Sequence, residues 1–163
     1  HLNLFTPLQK RLYRKAIPVK GVDISHYLRT LFEVRMKRHG VEMIETPAFL
    51  DAVITTYPST IYPVFVNVID NALFWLQDIA TQKRITLDAD GTGFLISNNG
   101  PQINRRDYSA IFDQGFTRKP SGRGLGLFIS KQSLRREGMD IEVLPASESG
   151  GVKITWPNND DAS

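Results

Sequence analysis

The chain contains no cysteine, which excludes disulfides and thiolate metal sites. It has only three histidines, His1, His26 and His39, and their spacing matches no metal-ligand pattern. No apolar run approaches the length needed to cross a membrane. The start, HLNLFTPLQKRLYRK, places its charges after its apolar residues and has no long apolar stretch, so it does not read as a secretory signal. It also does not begin with Met, as expected of a fragment of something larger. Basic residues interleaved with aromatics, as a nucleic-acid groove requires, are missing too, and no nucleic-acid partner is expected.

What is present suits one domain. The 163 residues are enough to bury a core, and 41% hydrophobic with 23% charged residues is the balance of a globular protein. The net charge is +3. Residues 1–22 carry Lys10, Arg11, Arg14, Lys15 and Lys20 and no acid, so the remainder is slightly acidic. We read 1–22 as a basic lead-in or linker, 23–157 as the folded domain and 158–163 as a disordered polar tail.

Periodicity divides the domain. Asp23 is placed as an N-cap, followed by Ile24, Tyr27, Leu28, Leu31 and Phe32 at helical spacing, with the helix ending near Gly40. Val41–Thr46 and Ala52–Tyr57 read as strands joined by a turn near Pro47. Ile61, Val64, Phe65, Val68, Ala72, Leu73 and Leu76 form one broad stripe, which predicts a helix over 59–80. Residues 85–89 and 94–97 form a hairpin around Asp90-Gly91-Thr92-Gly93. A short helix at 107–112, a mobile loop at 114–123 and a helix over 125–137 follow, with Gly138 as C-terminal cap. Ile141–Leu144 and Val152–Trp156 close the pattern as a second hairpin. The order predicts an α+β fold, one sheet covered on one face by helices.

Three segments carry candidate chemistry. Asn67, Asp70 and Asn71 stand at i, i+3 and i+4 on the long helix and are expected to share a face. An Asn carbonyl oxygen suits Mg²⁺ that bridges phosphates, and a solvated polar face is the plain alternative. Asn98-Asn99-Gly100-Pro101 ends a strand, where a side-chain amide can meet a base edge, or simply make a turn. In IFDQGFTRKPSGRGLGLFI, residues 111–129, glycines 122, 124 and 126 free backbone amides at a helix start that attracts phosphate. Arg118, Lys119 and Arg123 add charge to the same stretch; a flexible glycine loop is the alternative.

In this order, the three segments resemble the N, G1 and F/G2 boxes of the GHKL ATPases, over roughly residues 24–156. That family includes histidine kinases, DNA gyrase B, heat-shock chaperone ATPases and MutL-type proteins. The resemblance implies the Bergerat fold, a two-layer α/β sandwich with a mixed sheet covered on one face by helices. It implies ATP and Mg²⁺ as ligands, with Asn71 holding the metal. Asn98 takes the place of the aspartate that recognises the adenine amino group, with Gly100 in the turn beside the base. Phe112 and Phe116 resemble the aromatic anchors of the F box, and 104–121 resembles the ATP lid. Gly122, Gly124 and Gly126 resemble the glycines around the phosphates. The implied ATP-contacting set also takes in Asn67, Ile103, Thr117, Arg118, Lys119, Arg123, Leu125 and Leu127.

The position that holds a general-base glutamate in the gyrase, chaperone and MutL branches is Asn67 here, as in histidine kinases. An amide takes no proton at neutral pH. Gln102 replaces the last G1-box glycine, and Phe74 stands where histidine kinases often have a basic residue. His26, in DISHYLRT, lacks the context of a phosphate-accepting histidine. The expectation is therefore the ATP-binding half of a protein-histidine kinase, donating the γ-phosphate to a histidine on another domain. The implied partners are that acceptor-histidine domain and a response regulator, in the cytoplasm, with membrane attachment only through a parent protein. The alternatives are a nucleotide-driven conformational switch and a degenerate nucleotide-binding scaffold.

Overall fold

The computed structural model describes residues 15–79, 81–101, 103–115, 126–144 and 151–157. Strand β1 (Ile17–Lys20) leads directly into helix α1 (Gly21–His39). Then come β2 (Val41–Glu45), a short helix α2 (Pro47–Asp51), β3 (Val53–Thr56) and the long helix α3 (Pro58–Leu76). Strands β4 (Lys83–Ala89) and β5 (Gly93–Asn98) are followed by two single 3₁₀ turns, Arg105–Asp107 and Ala110–Phe112. Helix α4 (Gly126–Arg136) and strands β6 (Asp140–Leu144) and β7 (Gly151–Thr155) complete the described elements.

The main sheet is five-stranded in the order β2-β4-β5-β7-β6, with β2 parallel to β4 and the other pairs antiparallel. It is the expected mixed sheet with helices packed on one face. Both predicted hairpins are present, with Leu87 opposite Ile96 and Val143 opposite Val152. Alternation explains the register. Ile85, Leu87, Phe94, Ile96, Val152 and Ile154 all point into the core, so slipping any strand by one residue would expose its apolar set.

Several local expectations change, among them the short helix expected at 107–112, which is two 3₁₀ turns, Arg105–Asp107 and Ala110–Phe112. Residues 17–20, inside the stretch read as lead-in, form a strand paired antiparallel with β3 in a separate two-stranded sheet. β2 and β3 are thus not partners, and between them lies α2 instead of a simple turn. Thr46 Oγ1 accepts from Phe49 N at 3.2 Å and Pro47 opens that helix, a cap-and-proline start. Helix α1 begins two residues before Asp23, with Lys20 at the cap position, and Asp23 sits in the first turn. Finally, α3 stops at Leu76, short of residue 80.

Helix α3 is the centre of the core. Ile61, Phe65, Ile69, Leu73 and Leu76 are fully buried, and Phe65 meets Phe49 and Phe94 at centroid distances of 6.0 and 5.3 Å. On its flanks, α1 is tied to β2 by Arg29, whose Nε donates to Glu45 at 2.8 Å and whose Nη2 donates to Met43 O at 2.6 Å. Hydrogen bonding from Arg29 holds the Glu45 carboxyl below the usual carboxylate range. Helix α4 ends where predicted. Gly138 takes φ 75°, and Met139 N donates to Leu134 O at 2.9 Å, closing the helix in the left-handed turn that glycine favours.

Candidate functional site

Asn67, Asn71 and Trp75 stand at i, i+4 and i+8 on α3, one row about 12 Å long. At its N-terminal end the Asn67 Nδ2 donates to Gly126 O at 3.2 Å and to Ser130 Oγ at 3.0 Å. Gly126 is the last glycine of the triplet and the first residue of α4, and Ser130 is fully buried one turn on. The two-asparagine helix and the end of the glycine-rich segment are therefore in direct contact. A Cβ on Gly126 would lie 3.7 Å from the Asn67 side chain. Because both donor hydrogens of Asn67 are directed at α4, its role in this arrangement is to fasten α4 to α3.

At the other end of the row lies a pocket between α3 and the end of β5. Val68, Ala72, Ile96 and Val152 form its apolar wall. Asn71, Trp75 and Asn98, the turn residues Gly100 and Pro101, and Ile103 and Gly151 complete the lining. The structure thus brings Asn71 of α3 to one cavity with Asn98, Gly100 and Ile103 from the end of β5 and the turn after it. Alternation on β5 explains the placement of Asn98: it follows Phe94 and Ile96 on the helix-facing side, one step beyond the last buried residue.

The turn after β5 is built by its own amides. Gly100 N donates to Asn98 Oδ1 at 2.8 Å. Asn99 Oδ1 accepts from Arg84 N at 2.7 Å and its Nδ2 donates to Gln82 O, tying the turn to β4. A Cβ on Gly100 would lie 2.9 Å from Asn98 Oδ1 and 3.3 Å from Leu76 Cδ2, so the closeness of the turn to α3 depends on glycine. Asn71, by contrast, has no hydrogen-bond partner among the described residues, and its amide is available to a ligand in the pocket.

Asp70 does not join this face. Its carboxylate pairs with Arg35 Nη1 of α1 at 2.5 Å, because positions i+3 and i+4 from Asn67 diverge by about 100° around the helix. Phe112 is buried, with Lys131 Nζ over its ring at 4.8 Å. Lys131 also binds Asp140 Oδ1 and Ile141 O, each at 2.9 Å. Burial would raise the Asp140 carboxyl, but hydrogen bonds from Lys131 and the Ile141 amide and the charges of Lys131 and Arg135 together outweigh it and lower it. Leu127 is half-buried against the core. Phe116, Thr117, Arg118, Lys119, Gly122, Arg123, Gly124 and Leu125, together with Gln102, lie outside the described residues, as does the tail at 158–163.

Among the pocket residues that the sequence reading did not assign to the site is Trp75. Its signal was its position four residues after Asn71, on the same helical row. Among the described residues no group of three His, Asp or Glu side chains could hold a metal ion, and no helix is long and apolar enough to cross a membrane.

Comparison with known proteins agrees with this arrangement. Residues 56–159, more than half of the chain, match the profile of the histidine kinase-, DNA gyrase B- and HSP90-like ATPases. The C4-dicarboxylate transport sensor protein DctB of Rhizobium meliloti (strain 1021) is 35% identical over 99 residues, 59% of this chain. The matched stretch is only 15% of that relative's length. The mycobacterial sensor histidine kinase MprB superposes with a TM-score of 0.67 at 26% identity, covering 87% of this chain and 97% of that one. The catalytic domain of histidine kinase ThkA shares the fold, with a TM-score of 0.66 at 23% identity, covering 88% and 97%. ThkA has also been solved in complex with the response regulator TrrA.

Proposed function

Because the chain belongs to the histidine kinase-, DNA gyrase B- and HSP90-like ATPases, we propose that it is the Mg·ATP-binding catalytic domain of a sensor histidine kinase. The observation that carries this proposal is the meeting of three separate chain segments along one helix. Asn67 holds the start of α4, Asn71 opens into the pocket, and the β5 turn closes its far side. In this reading Trp75 and Ile103 flank the base, Asn98 and Gly100 meet its polar edge, and Leu127 packs beneath the phosphate end. The phosphates run toward the start of α4 at Gly126, and we assign their reception to the amides and cations of Thr117, Arg118, Lys119, Gly122, Arg123, Gly124, Leu125 and Gly126.

Mg²⁺ fits the residues present, since the Asn71 amide has no hydrogen-bond partner among the described residues and supplies a neutral hard oxygen. The ion would neutralise charge on the phosphate oxygens. The protein's own part is positioning, which dominates phosphoryl transfer. Asn67 supplies no base and is already engaged with α4, which favours transfer to an external acceptor over attack by activated water. The acceptor is a histidine on another domain, a response regulator receives the phosphoryl group next, and the domain works on the cytoplasmic side of its parent protein.

The test is phosphate transfer in the full-length protein, with γ-labelled ATP and Mg²⁺. The expected product is an acid-labile, alkali-stable phosphohistidine. Nucleotide binding without any such product would overturn the kinase assignment and leave a nucleotide-driven switch.

A further inference from the structure

Helix α1 is apolar on two sides. One side buries Ile24, Leu28, Phe32 and Met36 in the core. The other leaves Tyr27, Leu31 and Val34 exposed at 44%, 51% and 67%, one stripe at i, i+4 and i+7 where a solvated helix face ordinarily carries charge. Tyr27 joins the stripe to α3 through an edge-on contact with Tyr62, 5.0 Å between ring centroids.

The charges of α1 are sorted around this stripe. Arg29 pairs with Glu45, Arg35 with Asp70, and Glu33 with Lys37. Asp23 and Arg38 have no ion-pair partner among the described residues, and they stand at the two ends of the stripe, four residues before Tyr27 and four after Val34. The row therefore complements itself when reversed. Positions 23 and 38, and positions 27 and 34, share one midpoint, between Thr30 and Leu31. Against a second α1 running the opposite way, each Asp23 meets an Arg38, each Tyr27 meets a Val34, and Leu31 meets its own copy. That is the reciprocal pattern a two-fold interface demands. From it we infer that the α1 stripe docks a second copy of this chain, antiparallel, about a two-fold axis beside Leu31.

The seam from Asp23 to Arg38 is about 23 Å long. One helix pair of that length buries less than the ~1,200 Å² of a standard interface, so the pairing is reversible and not permanent. It also leaves the pocket open, because Asn71 follows Tyr62 by nine residues, half a turn around α3.

Sedimentation velocity over a concentration series rising to the millimolar range tests this on the unmodified chain and on variants of exposed residues. The expected result is a reversible monomer–dimer equilibrium, which Leu31→Arg weakens by about tenfold or more. Asp23→Arg and Arg38→Asp should each weaken it by setting like charges opposite one another, and the double variant should restore it. The rescue separates pairing from damage to the helix, since both substitutions oppose the helix dipole and their costs to folding add. A chain that stays monomeric throughout overturns the inference. So does a dimer that Leu31→Arg leaves unchanged, or a double variant that associates no more tightly than either single one.

Discussion

Asn67 and Asn71 are the same residue type one helical turn apart, yet they do different work because their surroundings differ. Asn67 spends its donors on Gly126 O and Ser130 Oγ, whereas Asn71 keeps its amide for the pocket. Two outcomes follow. Asn71→Ala should remove the Mg²⁺-dependent part of nucleotide affinity and leave the fold unchanged, as read by titration with and without the metal alongside circular dichroism. Unchanged Mg·ATP titrations would sink the metal assignment. Asn67→Ala leaves the buried Ser130 hydroxyl without its donor and should destabilise the chain by about 1 kcal/mol in urea unfolding. An unshifted midpoint would mean that the contact does not hold α4. Both asparagines were legible from the N-box spacing, but their division of labour was not, since it depends on what α4 and β5 bring to each.

Secondary-structure elements are held by a few local devices that can be tested in isolation. The turn between β4 and β5 is organised by Asp90, whose Oδ1 accepts from Thr92 N, Thr92 Oγ1 and Gly93 N and whose Oδ2 pairs with Lys153 Nζ at 2.9 Å. Desolvation would raise this carboxyl, but hydrogen bonds from Lys153 and Thr92 outweigh it and hold it well below the carboxylate range. Its stabilising contribution is thus complete above the unfolded value of about 3.9 and is lost as the pH falls from there through the lowered folded value. Asp90→Asn should therefore cost stability near neutral pH, and the gap to the unmodified chain should narrow in urea titrations below about pH 4. A gap that stays constant on acidification would contradict it. The Asp90 and Lys153 side chains are partly solvent-exposed, so screening keeps the effect small. Gly138→Ala places a Cβ at φ 75° and should cost about 1 kcal/mol or more through the α4 cap, measured as a lowered thermal midpoint. Glycine caps and the Asp-Gly hairpin were readable in advance because they are local chemistry. The α2 start at Thr46-Pro47 was equally local but lay hidden within a stretch rich in strand-forming residues.

For the molecule as a whole, stability depends on the aromatic cluster where α2, α3 and β5 meet. Phe49, Phe65 and Phe94 are fully buried, and Trp156 closes the group with its ring 5.2 Å from Phe94. Phe65→Ala should cost about 3–5 kcal/mol, since a cavity at this junction has helix on one side and sheet on the other and cannot collapse easily. A loss under about 1 kcal/mol in denaturant unfolding would show that the junction repacks. The cluster also bears on function, because α3 carries the pocket row on the flank adjoining the face that buries Phe65.

The three longer helices, the strands of both hairpins and the Gly138 cap were settled by near-neighbour chemistry along the chain. Periodicity and turn residues act over a few positions, and a linear string records them completely. Other features arose only on folding. β1 found β3 and β2 found β4 across intervening helices, Asp70 was drawn to Arg35 on α1, and Trp75 and Asn98 came to line one pocket. Those contacts join positions far apart in sequence. They are selected by which surfaces must bury together, a competition that no short window of residues expresses.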